Sequence, residues 1–163
     1  AVQRAVDVPY SVKMRLGWDE TEFNAPEIAA RAADAGAALV AVHARTRNQW
    51  FNPPAEWGAV RAVVQAVPVP VVVNGDIVTV DDAHRALSES GAVAVMVGRG
   101  IMRNPWLLRQ IADSFAGLPP TEPSLDDRHR ILLDYLDQRA GRSGKGRIAP
   151  GNLLMRGART RRD

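Results

Sequence analysis

The chain contains no cysteine, which excludes disulfides, thiolate metal sites and a cysteine nucleophile among these residues. Aromatic residues make up only 6% of it, so the core must be built from aliphatic side chains. No run of about 18 apolar residues occurs, and no membrane span is expected. The N-terminus lacks the basic-then-apolar pattern of a signal peptide. The sequence opens at Ala1 without an initiator Met and enters a strand-like segment almost at once, which leads to the expectation of a fragment. No His or carboxylate cluster has ligand spacing, so no metal site is expected. From Arg139 to Arg162 there is no acidic residue. A polyanion such as RNA and a merely solvated end both account for that basic tail.

What is present is a hydrophobic share of 46% and a charged share of 24% over 163 residues, the composition of one globular domain with a real core. Ala and Val dominate the apolar positions. Short apolar runs alternate with Ala-rich amphipathic stretches: strands over Tyr10–Met14, Leu39–Val42, Pro70–Val73 and Ala94–Val97, and helices over Ala25–Ala35, Trp57–Val67, Thr79–Ser88 and Pro105–Phe115. Gly36 is placed to end the first helix, and Thr79 with Asp82 to cap the third. Strand–helix alternation at roughly 25–30 residues calls for a parallel sheet. No G-x-G-x-x-G follows the first strand, so the dinucleotide fold loses its best support. The fold class expected is therefore α/β, a partial (β/α)8 barrel comprising its last four βα units, followed by a short helical segment.

In a parallel barrel, function gathers where strands end. The four strand ends carry Lys13, then His43-Ala44-Arg45, then Asn74-Gly75-Asp76, then Gly98-Arg99-Gly100. Glycines there let backbone N–H groups approach phosphate oxygens, and Arg99 adds charge. Lys13 interrupts an apolar strand, and at a barrel mouth its ammonium either faces an electron-rich ring or snorkels to solvent. Four such features together point to a shared anionic ligand. His84 and His129 fall on helices and read as surface residues.

The segments Lys13-Met14-Arg15-Leu16-Gly17-Trp18, Val42-His43-Ala44-Arg45-Thr46-Arg47-Asn48-Gln49, Val73-Asn74-Gly75-Asp76-Ile77, Met96-Val97-Gly98-Arg99-Gly100 and Asn104-Pro105-Trp106 resemble the bacterial tRNA-dihydrouridine synthases, in order and spacing, over roughly residues 5 to 115. The resemblance implies an FMN-bound TIM barrel followed by a helical domain that helps hold tRNA in the cytoplasm. It implies that NADPH reduces the FMN, which then delivers hydride to C6 of a uracil flipped out of the RNA, and that a cysteine protonates C5. By position, Lys13 would contact the isoalloxazine ring and His43 would lie beside it. Asn74, Gly75 and Asp76, with Gly98 and Arg99, would hold the ribityl phosphate, and Arg45 and Arg47 would touch tRNA phosphates.

The sequence departs from that family pattern in several places. The family's first four strands and its Asn-x-Gly-Cys-Pro segment are absent, so the proton donor lies outside this chain and the fragment alone is expected to be inactive. Ala44, Val93 and Asn52-Pro53-Pro54 stand where other residues are usual, and Ala149 to Asp163 is aperiodic and rich in Gly and Arg. The organisation expected is residues 1–117 as half of the barrel, 118–124 as linker, 125–141 as the start of a helical tRNA-binding domain and 142–163 as an irregular basic tail. On that last helix, Ile131, Leu132, Tyr135 and Leu136 should form the buried side. The other readings are a small-molecule flavin oxidoreductase sharing the same phosphate-binding half, and an inactive remnant. Half a barrel leaves its outer strands as open edges, and self-association is expected of the isolated chain.

Overall fold

In the computed structural model, residues 5–52 and 54–141 are described. The chain divides after Thr121 into two compact units. The first carries four parallel strands: β1 (Ser11–Arg15), β2 (Leu39–His43), β3 (Val71–Asn74) and β4 (Ala94–Met96). They hydrogen-bond in the order β1-β2-β3-β4. A doubly wound sheet reverses direction partway across and puts helices on both faces. Here every crossover leads to the next neighbour, and with right-handed connections all helices fall on one face. This is the arrangement of consecutive βα units in a barrel wall.

The helices of this unit are α1 (Ala25–Asp34), a 3-10 turn (Trp57–Val60) running into α2 (Arg61–Ala66), α3 (Val80–Ser90), α4 (Gly100–Arg103) and α5 (Leu107–Phe115). Two differences from the sequence reading have local causes. The second helix begins as a 3-10 turn because Ala59 N–H bonds to Glu56 O, an i to i+3 closure. A separate turn of helix, α4, precedes the fourth long one. Asn104 ends α4 in an extended conformation immediately before Pro105, which disfavours a helical predecessor.

Register explains where the core sits. Met14, Val42, Val73 and Val95 are aligned across the sheet, and with Val40 and Val71 they face the helices. There they pack with Ala29, Val63, Ala83, Ala86, Leu107 and Ile111. Alanine on the helix side lets the backbones approach closely. Valine on the strand side is already restricted at χ1, so ordering it costs little. Each fully buried valine stabilises the fold by about 1.5–3 kcal/mol.

α3 shows how local sequence sets an element's limits. The Thr79 hydroxyl accepts from the Asp82 N–H at 3.0 Å, while the Asp82 carboxylate accepts from the Thr79 N–H at 3.0 Å. The helix ends at Gly91, whose φ of 72° is left-handed and suits glycine best. In the second unit, α6 (Leu125–Gly141) has the same reciprocal cap, made by Ser124 and Asp127. The buried side expected for α6 is corrected: Ile131 is half-buried, but Leu132, Tyr135 and Leu136 are exposed. Periodicity marked an apolar stripe without supplying a layer to cover it. The irregular tail expected over 142–163 lies outside the described residues, and no described helix is long and apolar enough to cross a membrane. Replacing Thr79→Ala removes the α3 cap and should cost about 1 kcal/mol. That loss is measurable as a fall of about 4 °C in melting temperature.

Candidate functional site

The sheet face opposite the helices carries the polar residues. At the C-terminal ends of the strands, Arg15, His43, Asn74 and Met96 stand side by side in register. One layer deeper on the same face come Lys13, Ala41, Val72 and Ala94. The two-residue period of a strand therefore brings Lys13, His43 and Asn74 together, with Arg15 as an addition that the sequence reading missed. The Asn74 amide donates to Met96 O at 2.7 Å, tying β3 to β4 at the point where both end.

Beyond these ends the loops converge on one carboxylate. Asp76 takes a left-handed conformation, φ 49°, which is uncommon outside glycine though Asp tolerates it better than most residues. Its carboxylate is held by a direct ion pair to Arg45, an N–H donated by Ala55 at 3.0 Å and the Arg99 guanidinium at 3.4 Å. Arg45 is only 2% exposed. Gly75, just before it, has φ 122°. A side chain there would come within 2.9 Å of the Ala55 side chain and 3.0 Å of the His43 ring, so this position requires glycine. Trp57 fixes the turn from the helix side, its indole N–H donating to Gly75 O at 2.8 Å in a buried setting. Gly98 is different: it is exposed, and nothing lies within 4 Å of where its side chain would be. Its backbone is open to a ligand.

The electrostatics are cationic around a neutral imidazole. Burial, followed by the charges of Arg15, Lys13 and Arg45, pushes His43 down to about 4 against a slight opposing pull from Asp76. Arginine can only donate, so the 3.4 Å contact of Arg45 Nη1 with His43 Nε2 leaves the imidazole proton on Nδ1. Burial, with help from Arg15, also lowers Lys13. For Asp76 burial acts upward, but the Arg45 hydrogen bond, the Ala55 N–H and the charges of Arg45 and Arg99 outweigh it. The carboxyl stays below its ordinary range.

The residues expected to reach RNA are placed differently from each other. Arg47 is exposed, whereas Arg45 is buried in its ion pair with Asp76, so Arg45 braces the loops and does not present itself to a phosphate. Neither described hollow lies on the polar face. One of about 300 Å³ sits at the opposite end, among Val64, Val67, Val69 and Val93. The other, of about 220 Å³, lies among Leu16, Phe23, Thr46 and Gln49. Among the described residues no group of three or more His, Cys, Asp or Glu is placed to hold a metal.

Polar strand ends, a turn that requires glycine and an ion-paired carboxylate thus gather at the C-terminal ends of four consecutive βα units, the end at which parallel barrels carry their functional residues. Comparison with known proteins narrows the class. The family model for dihydrouridine synthase (Dus) matches residues 1–148. A probable tRNA-dihydrouridine synthase of Rhodobacter capsulatus is 55% identical over 117 residues, which are 72% of this chain and 36% of that protein. The tRNA-dihydrouridine synthase B of Xanthomonas campestris is 41% identical over 140 residues, covering 84% of this chain and 42% of its own length. Among solved structures, a mandelate oxidase is similar with a TM-score of 0.49 and 24% identity, over 70% of this chain and 47% of that one. The chain belongs to the dihydrouridine synthase family. It spans between 36% and 46% of the length of the curated relatives it matches.

Two predictions come from the ion pair and the imidazole. Asp76→Asn takes the paired carboxylate away from the buried Arg45 charge and should destabilise the first unit by about 3 kcal/mol, read from the midpoint of urea unfolding. His43 in the unfolded chain takes a proton below about 6.5, whereas the folded protein resists until about 4. Stability should therefore fall as pH drops through that window. His43→Gln should flatten the slope between those two values, leaving the loss that comes from carboxylates such as Asp76 at lower pH.

Proposed function

We propose that the protein to which these βα units belong is a tRNA-dihydrouridine synthase, reducing the C5=C6 bond of a uridine in tRNA with electrons from NADPH carried by FMN. The observation that carries this reading is the convergence of four strand ends on one polar face, in a chain whose family is dihydrouridine synthase. FMN, when bound and reduced, supplies the hydride that goes to C6 of the base.

The residues present fit such a group. Gly75 cannot carry a side chain and Gly98 is open to solvent, so both offer backbone N–H groups at close range to a phosphate. Arg99 is mostly exposed and only 3.4 Å from Asp76, a contact loose enough for the guanidinium to turn to a phosphate while Asp76 keeps Arg45. Asn74, whose amide is tied to Met96 O, would leave its carbonyl oxygen to the ribityl hydroxyls. Lys13, whose ammonium is made more acidic by burial, would offer positive charge to the electron-rich edge of such a ring. His43, neutral with its proton on Nδ1, is a hydrogen-bond donor beside the ring. The proton for C5 comes from a cysteine outside these residues. The reaction balances as one hydride from NADPH through the flavin and one proton, giving NADP+ and 5,6-dihydrouridine.

The test is to incubate the whole protein with NADPH and unmodified tRNA and count dihydrouridine by nucleoside mass spectrometry. Dihydrouridine should appear in step with NADPH consumed, and flavin reduction without any dihydrouridine would contradict the proposal. Arg99→Ala should weaken FMN binding about tenfold or more, the value of one charge-assisted hydrogen bond to phosphate. Flavin fluorescence titration measures that loss.

A further inference from the structure

The loops after β1 and β2 carry an aromatic cluster around Arg47 that the flavin site does not use. The Arg47 guanidinium lies 5.1 Å from the centre of the Trp18 ring and 4.9 Å from that of Trp50. Arg99 lies 4.5 Å over Phe51. All three rings are exposed, Trp50 by 59%, Phe51 by 53% and Trp18 by 52%. In a chain with only 6% aromatics, three exposed rings in one loop pair are a concentration that the core does not require.

The cluster is held in place. Arg47 N–H donates to Gly17 O and Asn48 N–H to Trp18 O, at 2.8 and 2.9 Å, zipping the two loops together. Thr46 and Gln49 close the second loop on itself, with the Thr46 N–H bonded to the Gln49 side chain at 2.8 Å. Trp50 has φ 48°, a left-handed conformation that strains a bulky residue. Arg15 donates to Trp50 O at 3.2 Å and to Thr46 O at 2.7 Å, holding that turn. Strain and side-chain bonds are thus spent on keeping aromatic rings in water.

Cations lie against the rings, while the exposed acids Glu20 and Glu22 stand in the same β1 loop as Trp18. After burial itself, Arg45 and Arg47 are the neighbours that lower Arg15, so these guanidiniums repel one another. Asp19 in that loop accepts from the backbone N–H groups of Thr21 and Glu22 in a local turn. Exposed π-faces among cations fit one partner chemistry well: unpaired nucleotides, whose bases stack on the rings while their phosphates meet the arginines.

We propose that Trp18 and Trp50, braced by Arg47 and flanked by Phe51, form a stacking platform for unpaired RNA bases next to the one delivered to the flavin. The proposal rests on the tRNA reading above and adds the surface that grips the strand once a base has left its stack. An extruded base leaves its neighbours without a stacking partner, and the platform replaces what they lose.

The experiment uses the whole flavin-loaded protein with Trp18→Ala, Trp50→Ala, the double variant and the conservative Trp50→Phe. Dissociation constants are measured for unmodified tRNA, with KM and kcat for dihydrouridine formation and the melting temperature of each variant. Each Ala variant should bind tRNA roughly tenfold more weakly, the usual worth of one stacked base. KM should rise by a similar factor, with flavin content, NADPH-dependent flavin reduction and melting temperature unchanged, and Trp50→Phe should recover most of the affinity. If the Ala variants make dihydrouridine with unaltered KM and dissociation constant, the platform is overturned while the enzymatic reading stands. If wild-type protein makes no dihydrouridine but binds tRNA in a Trp50-dependent way, the platform stands and the enzymatic reading falls. A lower melting temperature with unchanged tRNA affinity would show that the rings are covered by protein, and also overturns the platform.

Discussion

One carboxylate organises the mouth of this sheet. Asp76 neutralises a buried arginine from the β2 loop, takes an N–H from the approach to the second helix, and keeps Arg99 of the β4 loop within reach. Without it the buried Arg45 would lose the carboxylate it is paired with, and three loops would lose their common anchor. It also prevents the surrounding cations from simply repelling one another. The surplus positive charge then faces outward, where a phosphate can meet it.

The same contact divides labour among residues that look alike in the sequence. Arg45, Arg47 and Arg99 all follow strand ends, yet each has a different task. Arg45 is a structural counter-ion, Arg99 is held loosely and can serve a ligand, and Arg47 is exposed beside aromatic rings. Burial decides between these roles, and linear position does not reveal burial. Asp76 shows the complementary point: its place in a string of ligand-like residues does not reveal that its carboxylate accepts from Arg45 and the Ala55 N–H.

The α/β class was legible because short valine-rich apolar runs and alanine-rich helical stretches alternate, and because glycine and capping residues such as Gly36, Thr79 and Asp82 sit at element limits. The position of Lys13, His43 and Asn74 on one face was legible once the strands were placed, since alternation fixes it. The same alternation pointed to Arg15, which was overlooked because it lies within the motif and not at its head. Trp57 was hidden by its setting in a helical stretch, where nothing marks an indole N–H as the partner of Gly75. The apolar stripe of α6 misled for a physical reason: periodicity reports which residues share a face but not what lies against it.

The central claim is that these strand ends cradle a flavin through its phosphate, which makes the phosphate itself the sharpest probe. Affinities of the whole protein for FMN and for riboflavin, identical but for that phosphate, can be compared by fluorescence titration at fixed salt. FMN should bind at least about a hundredfold more tightly, the worth of two or more charge-assisted hydrogen bonds. Equal affinity for the two flavins would contradict the account.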